Sequence, residues 1–438
     1  MALMQDAPPK PFGLRLYQAA SRLAGPLAAF ALSRRLAAGK EDAARLSERR
    51  GLAGRPRPDG ALVWIHGASV GESLSVLPLV SRLQSLRPDL GFLVTTGTVT
   101  SARLMAERLP PGAFHQYAPL DHPRYVEAFL DHWRPQAALF VESEFWPNLI
   151  LAARERVGFM ALVNGRVSPK SFEQWRRKPQ TIRYLLAAFD LMIAQDRQNA
   201  ERLSLLSGRD TPTLGNLKHA APPLPGAEAD LAALRAMIGA RAVWLAASTH
   251  PGEESAIYNA HGLLRESFPD LLTLLAPRHP ERGAEIAALG AENGLRASRR
   301  SKNQPIERDT DVYVADTLGE LGLFYRLSEI AFVGGSLTPK GGHNPLEPAR
   351  LGGAVLHGPH IFNFVETYGD MRAAGAAALV RNDRELATAV RRLLCDEKTR
   401  HAMADAARRA SEASAERILA EISGLILDRF ERAAKLAA

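Results

Sequence analysis

The sequence predicts an α/β protein built on two doubly wound parallel sheets, and three observations carry that expectation. Short apolar runs alternate with amphipathic stretches of helical length, the pattern of strands buried on both faces between crossover helices. A proline-rich interruption, Ala220-Ala221-Pro222-Pro223-Leu224-Pro225-Gly226, breaks the pattern near the middle. The alternation then restarts, and 438 residues are too many for one ordinary core. Open α/β sheets bind ligands outside the carboxyl ends of their strands, so the two domains are expected to face a central crevice.

In chain order, residues 1–50 read as an amphipathic, membrane-associating segment. Leu14 to Ala38 is apolar but broken by Arg22, Arg34 and Arg35, with Gly25-Pro26 inside. Its clean run, Leu23 to Leu32, falls well short of the roughly 20 residues needed to span a bilayer. No small-residue cleavage site follows, so a signal peptide is not expected. A helix lying on an anionic membrane surface accounts for both the apolar body and the arginines; a helix packed on the protein itself is the plain alternative.

Residues 51–217 form the first sheet domain, with strands expected at Leu62–His66, Phe92–Thr96, Phe114–Tyr117, Ala137–Val141, Met160–Val163, Leu191–Ala194 and Pro212–Gly215. Helical patterns lie between them at Ser73–Leu86, Tyr125–Trp133 and Arg197–Leu206. Residues 218–230 read as the linker. Residues 231–411 form the second domain, with strands at Val243–Ala247, Leu271–Ala276, Val312–Ala315, Ile330–Val333, Ala354–Leu356 and Ala377–Val380. Residues 412–438 read as a closing helix with Ile418, Ile422, Leu425, Ile426 and Phe430 on one stripe.

Composition narrows the function. A single cysteine, Cys395, excludes a disulfide framework and any cysteine-rich metal site. A net charge of +8 and a pI near 9.7 suit an acidic partner. The basic runs at Arg34-Arg35, Arg49-Arg50, Arg176-Arg177-Lys178 and Arg299-Arg300 are not interleaved with aromatics, so nucleic acid is not the expected partner. Each run taken singly also reads as a solvated face. There is no HExxH, and Asp309-Thr310-Asp311 precedes a strand instead of following one, so the chemistry is expected to be metal-independent, with no cofactor.

Polar motifs stand at the carboxyl ends of the predicted strands. In the first domain His66-Gly67-Ala68-Ser69-Val70-Gly71-Glu72 turns through two glycines into a helix, leaving Glu72 in its first turn. A carboxylate there is a candidate general base or a capping acid. The same letters match the Gly-x-Ser-x-Gly elbow of α/β-hydrolases, with Ser69 as nucleophile. That elbow normally follows several strands within a single sheet domain, which disfavours it here. Glu142-Ser143-Glu144 ends another strand; the two carboxylates can share a proton, hold a sugar hydroxyl, or cap the helix beginning at Pro147. Arg166, Lys170 and Lys218 end the next segments and offer cations to an anionic ligand, or to solvent.

In the second domain Ser248-Thr249 reads as a pair of phosphate donors or N-caps. Pro277-Arg278 brings a guanidinium able to grip two phosphate oxygens, and Leu318-Gly319-Glu320 follows another strand. Phe332 to Ala349, FVGGSLTPKGGHNPLEPA, supplies Gly341 and Gly342, cations at Lys340 and His343, and a helix start at Asn344-Pro345-Leu346-Glu347. That start reads both as an anion site and as an ordinary capping box.

Taken together, HGASVGE (66–72), ESEFWPN (142–148), NGRVSPKS (164–171), GNLK (215–218), PRHPER (277–282), DTLGEL (316–321) and GGSLTPKGGHNPLEPA (334–349) resemble the lipid A Kdo transferases. The resemblance runs from about Pro8 to the C-terminus. It implies two Rossmann-like domains in a B-type glycosyltransferase fold. It also implies metal-independent, inverting transfer of 3-deoxy-D-manno-oct-2-ulosonic acid (Kdo) from CMP-Kdo to lipid IVA, a lipid A precursor. The expected location is the cytoplasmic face of the inner membrane, on an anionic lipid surface. By the same resemblance Glu72 is the base, while Glu142 and Lys218 stabilise the transition state. Pro277, Arg278, Leu318, Gly319, Glu320, Asn344, Pro345, Leu346 and Glu347 contact CMP, and Ser248, Thr249, Gly341 and Gly342 join them as donor-site candidates. Ser69, Gly71, Arg166 and Lys170 are candidates for contact with acceptor or Kdo. Gly67 and Gly165 stand where alanine is common in the family.

Overall fold

The structure, a computed structural model, describes residues 9–437. Its strands are β1 (Ala61–His66), β2 (Leu90–Thr96), β3 (Ala113–Tyr117), β4 (Ala137–Val141), β5 (Phe159–Gly165), β6 (Leu191–Ala194), β7 (Val243–Thr249), β8 (Leu272–Pro277), β9 (Ala297–Arg299), β10 (Val312–Val314), β11 (Ile330–Val333), β12 (Ala354–His357) and β13 (Ala377–Leu379). They form two parallel sheets, ordered β3-β2-β1-β4-β5-β6 and β13-β12-β11-β7-β8-β10-β9. Both are doubly wound, as the alternation of apolar and amphipathic segments requires.

The strand order reverses between β1 and β4 in one sheet and between β7 and β11 in the other. Loops leaving the carboxyl ends of those strands diverge there and leave room for a ligand. These strand ends carry Glu72, Glu142 and Glu144 in one unit, and Ser248, Thr249 (the last residues of β7) and the 334–347 stretch in the other. Each sheet is buried on both faces. Trp64, Leu93, Phe129, Phe140 and Leu162 fill one side of the first sheet, and Val63, Ile65, Phe92, Leu139 and Val163 the other. At roughly 1.5–3 kcal/mol for each fully buried large apolar side chain, these layers dominate the favourable side of folding.

Of the described residues, 9–222 with 415–437 form one compact unit and Pro223–Ser414 the other. The last helix, Glu397–Ala437, starts earlier than the expected 412, and its later part belongs to the first unit. Ile418, Ile422 and Ile426 are buried there against Val63 and Val76, the predicted stripe meeting one face of the first sheet.

Pro212–Gly215 is not a strand. Only Thr213 bridges Ala194, and Gly215 turns the chain at φ +101° beneath Ile418. Conversely, β9 was not expected. It pairs with β10 at the sheet edge, where Ala297, Ser298 and Arg299 need little apolar character.

The N-terminal segment folds as two helices, Phe12–Leu23 and Gly25–Ala37, parted just before Gly25-Pro26. Leu14 and Leu32 are buried, whereas Phe12, Leu16, Leu23, Leu27 and Phe30 are exposed. No helix among the described residues is long and apolar enough to cross a membrane. Arg49 is not a solvated charge; it is buried against Glu41 at 2.9 Å, while the exposed Arg35 reaches the same carboxylate at 2.6 Å. Arg49 also donates to the Gly97 and Ala118 carbonyls, tying this segment to the ends of β2 and β3.

Candidate active site

In the first unit, β1 ends at His66 and the chain turns through Gly67 into the helix Val70–Leu86. Ser69 caps that helix, its Oγ accepting from the Glu72 amide at 3.3 Å. Glu72 closes the box in return, its carboxylate accepting from Ala68 N and Ser69 Oγ, both at 2.7 Å. Glu72 is therefore buried and fixed in direction by its capping bonds. Each carboxylate oxygen keeps a further lone pair for an incoming hydroxyl. Ser69 Oγ is bonded to a carboxylate at a helix cap and has no histidine partner among the described residues, the base an elbow serine needs. Gly71 has open space where a Cβ would stand, so no steric demand for glycine exists there.

Strand β4 stops at Val141, and Glu142 adopts a left-handed backbone at φ +59°. The alternation of a strand therefore does not carry through to Glu144. A non-glycine residue in this region is strained, and it persists only where its surroundings hold it. Here Glu142 N donates to Val163 O, while Lys218 Nζ and Arg166 Nη1 lie 2.5 and 3.8 Å from the carboxylate. Lys218 is delivered by a short 3-10 helix, Leu217–Ala220, capped by Asn216 and held by the Leu217 amide on Asn164 Oδ1 at 3.0 Å. Glu142, Lys218 and Arg166 thus converge from three loops. Lys170, on the exposed face of the helix Pro169–Arg176, does not join them.

Neither Glu142 nor Glu144 caps the helix Pro147–Arg154. Asp121 does so from another loop, accepting from the Asn148 and Leu149 amides at 3.2 and 2.8 Å. Glu144 hydrogen-bonds instead with the side chain of Trp146, the residue just before the helix. Burial, reinforced by the charge of Glu72 and then of Glu142, pushes Glu144 up to about 7.

The second unit's expected phosphate cradle is organised by a residue that sequence reasoning missed. Glu253 is fully buried and accepts from four backbone amides: His250 and Gly335 on one oxygen, Ser336 and Leu337 on the other, at 2.7 to 2.9 Å. The first amides of the glycine loop are therefore already bound to a carboxylate of the same domain. Gly334 is required because a Cβ would stand 2.6 Å from the Ser248 carbonyl. Gly341, at φ +95°, is required by Asn363, whose side chain a Cβ would strike. Gly342 donates its amide to Gly335 O. These glycines shape the loop first.

The helix after the loop, Leu346–Arg350, is little more than one turn and begins one residue after Pro345, the expected first helical position. Asn344 Oδ1 accepts from Leu346 N at 3.1 Å and Asn344 Nδ2 reaches Glu347 at 3.5 Å, but the N-cap is Pro345 without a side-chain bond, so the expected capping box does not form. Pro345 and Leu346 are buried under it. Burial pushes the Glu347 carboxyl up, against the pull of Asn344, Arg350 and Arg278.

Imidazoles and a guanidinium collect beside this loop. The imidazoles of His250 and His343 lie parallel, with Nε2 atoms 2.9 Å apart, and His279 packs edge-on against His250. Burial, each other's presence and the charge of Arg278 hold His343 down at about 4. Arg278 is exposed and makes no side-chain hydrogen bond or ion pair among the described residues. Its amide is pinned to Thr249 O at 3.0 Å as β8 ends at Pro277. Thr249 itself bonds Glu254 at 3.1 Å and caps nothing, and Ser248 holds a left-handed backbone at φ +57°.

Leu318 is 85% exposed beside Gly319, an apolar surface on the loop after β10. Glu320 is held by Thr317 and by a two-pronged Arg300 contact at 2.7 and 3.1 Å, while Arg299 pairs with the buried Asp316. The Arg299-Arg300 run is thus internal ion pairing, not a solvated basic face. Among the described residues no group of three histidine, cysteine, aspartate or glutamate side chains could hold a metal ion.

The chain's similarity to known proteins agrees with this layout. Residues 44–221 match the family model described as 3-deoxy-D-manno-octulosonic-acid transferase (kdotransferase). A 3-deoxy-D-manno-octulosonic acid transferase of Rickettsia bellii is 35% identical over 382 residues, covering 87% of this chain and 91% of the relative. One from Haemophilus influenzae is 36% identical over 330 residues, covering 74% and 77%. In fold, the chain is similar to a glycosyltransferase from Rickettsia africae, with a TM-score of 0.56, 12% identity, and coverage of 86% of this chain and all of that one. At that identity the last comparison speaks for the fold alone, whereas the sequence relatives extend over most of both chains. The chain belongs to the 3-deoxy-D-manno-octulosonic acid transferases.

Proposed function

We propose that this enzyme transfers Kdo from CMP-Kdo to lipid IVA with inversion at the anomeric carbon, working at the cytoplasmic face of an inner membrane. The observation that carries the donor assignment is Arg278. It is an exposed guanidinium without a partner, beside His250, His279, His343 and Lys340, at the strand ends where a phosphate-bearing ligand is expected. A CMP phosphate would meet Arg278 and Lys340, with Leu318 offering its exposed side chain to the base. Because the amides of Gly335, Ser336 and Leu337 serve Glu253, charge on the leaving phosphate is stabilised by these side chains more than by the glycine loop.

In the first unit, the acceptor hydroxyl would approach Glu72. Its oxygen bonds to the Kdo anomeric carbon, the bond from that carbon to the CMP phosphate oxygen breaks, and Glu72 takes the hydroxyl proton. Lys218 and Arg166, already drawn together by Glu142, would hold the carboxylate that Kdo itself carries. The exposed apolar residues of the N-terminal helices, among Lys10, Arg15, Arg22 and Arg34, support adsorption to an anionic membrane surface without a span.

One observation favours a second assignment of the base. A carboxyl near 7 is better matched to proton transfer at neutral pH than an ordinary one, and Glu144 is such a group. In this reading Glu72 orients the hydroxyl and raises Glu144 by its charge.

The test of the overall proposal is CMP release by the purified enzyme. Release is expected only when CMP-Kdo and lipid IVA are both present. Equal release without the lipid would mark a hydrolase, and none at all a binding protein.

A further inference from the structure

A groove of about 1000 Å³ opens in the first unit between the N-terminal helix Phe12–Leu23 and the segment around 175–181. Its walls are apolar and aromatic: Leu14, Tyr17, Phe145, Trp146 and Trp175. The Phe145 and Trp175 rings pack edge to face at 6.5 Å. At its rim stand Arg177 and Lys178, exposed and without a side-chain partner among the described residues. The acidic group in the wall, Asp121, is fully engaged by Tyr17 Oη at 2.8 Å and by the Asn148 and Leu149 amides. The groove therefore presents a greasy floor under a net positive rim.

Its position ties it to the reaction. Phe145 follows Glu144 directly, and the Trp146 ring lies edge-on to His66 at 5.2 Å, the last residue of the strand whose following loop holds Glu72. On the other side, the helix that supplies Leu14 and Tyr17 also carries the exposed Phe12 and Leu16. The apolar path thus runs from an outward-facing helix to the neighbourhood of the proposed acceptor site. Volumes of this size lie at the upper end of ordinary ligand pockets, roughly 300–1,000 Å³.

We infer that this groove takes one acyl chain of the acceptor lipid, with an acceptor phosphate on Arg177 and Lys178. The inference rests on the transferase reading above and adds where the acceptor's hydrophobic part is held. An anionic amphiphile satisfies both halves of the groove, the apolar floor and the cationic rim, whereas a nucleotide or a peptide would leave the aromatic floor or the rim unused. Drawing one chain out of the bilayer would also place the sugar headgroup beside Glu72 while the rest of the lipid stays in the membrane.

Tryptophan fluorescence tests this directly. Of the five tryptophans, Trp64, Trp133 and Trp244 are fully buried, and Trp146 and Trp175 line the groove. An alkyl phosphate brominated along its chain, added below its micelle threshold to the full-length protein, should quench saturably. Trp175→Phe should lose a large part of that quenching, and Arg177→Glu with Lys178→Glu, both on exposed positions, should weaken the probe roughly ten-fold or more. Lipid IVA should relieve the quenching, and its deacylated counterpart should not. Absence of saturable quenching, or equal relief by a bilayer phospholipid, would overturn the groove assignment while leaving transfer untouched. Quenching with no Kdo transfer to lipid IVA would instead overturn the acceptor reading on which the inference rests.

Discussion

Lys218 Nζ lies 2.5 Å from Glu142 Oε1, and the two residues meet from loops 76 positions apart. Glu142 is buried and its backbone is left-handed, while the Lys218 side chain remains 38% exposed. The pair thus joins a strained, desolvated carboxylate to a cation that can still reach a ligand. Lys218→Met should cost about 1–2 kcal/mol, less than the 3–5 kcal/mol of a fully buried broken pair because the lysine is partly solvated and Arg166 remains nearby. The double variant with Glu142→Gln should recover that stability in urea titrations yet stay inactive in transfer. Recovery of activity would show that the pair is structural only.

The pH dependence separates the two proposed bases. With Glu144 up at about 7, activity that depends on its ionised form should rise through pH 7. Glu144→Gln should abolish that limb, and Glu72→Ala should abolish transfer while CMP-Kdo still binds. If Glu144→Gln retains both the rate and the limb, Glu144 has no part in proton transfer.

The same residue makes a stability prediction of definite sign. A carboxyl raised in the folded state binds more protons there than in the unfolded chain between about pH 4.5 and 7. Stability from this site is therefore full below that window and lost as pH rises through it. Glu144→Gln should raise the melting temperature at pH 8 relative to the parent and change it little at pH 4. Thermal melts at the two pH values check the difference.

Glu253 should be among the most sensitive positions in the second unit. Glu253→Ala would strand four buried amides, each costing about 1–3 kcal/mol without a partner, so a loss beyond about 4 kcal/mol is expected. Glu253→Gln keeps the shape but turns a donor toward donors, and should be intermediate. Chemical denaturation of the two variants tests the order.

Arg278 is the sharpest test of donor binding. Arg278→Lys keeps the charge but not the two-pronged grip, and should raise KM for CMP-Kdo about ten-fold; Arg278→Ala should raise it roughly a hundred-fold. Neither should move the melting temperature much, because the exposed side chain makes no hydrogen bond or ion pair among the described residues and acts on Glu347 and His343 only through its charge. An unchanged KM would move the phosphate elsewhere.

Most strands were legible because each is an apolar run bounded by turn residues, and parallel sheets buried on both faces leave that signature. Edge strand β9 was hidden because Ala297, Ser298 and Arg299 face no core on the outer side. The roles of single polar residues were less legible. The Ser69–Glu72 box could be read locally, three residues apart. By contrast, Asp121 capping the helix at Pro147, and Glu253 tying Gly335 to Leu337, depend on contacts 27 and 82 residues apart that no local pattern encodes. The stretch from Phe332 to Ala349 illustrates the limit. Its glycines were visible as a loop, but the carboxylate that occupies its amides comes from the start of the helix after β7, the neighbouring strand in the sheet. The basic runs failed for the same reason, since Arg49, Arg299 and Arg300 find their acids only in the fold.

Movement of Kdo onto a lipid A precursor is read directly by mass spectrometry of the lipid. Purified enzyme incubated with CMP-Kdo and lipid IVA should yield lipid heavier by whole Kdo units, with Glu72→Ala yielding none. Lipid recovered unchanged while CMP-Kdo is consumed would mean that the chain does not transfer Kdo to this acceptor.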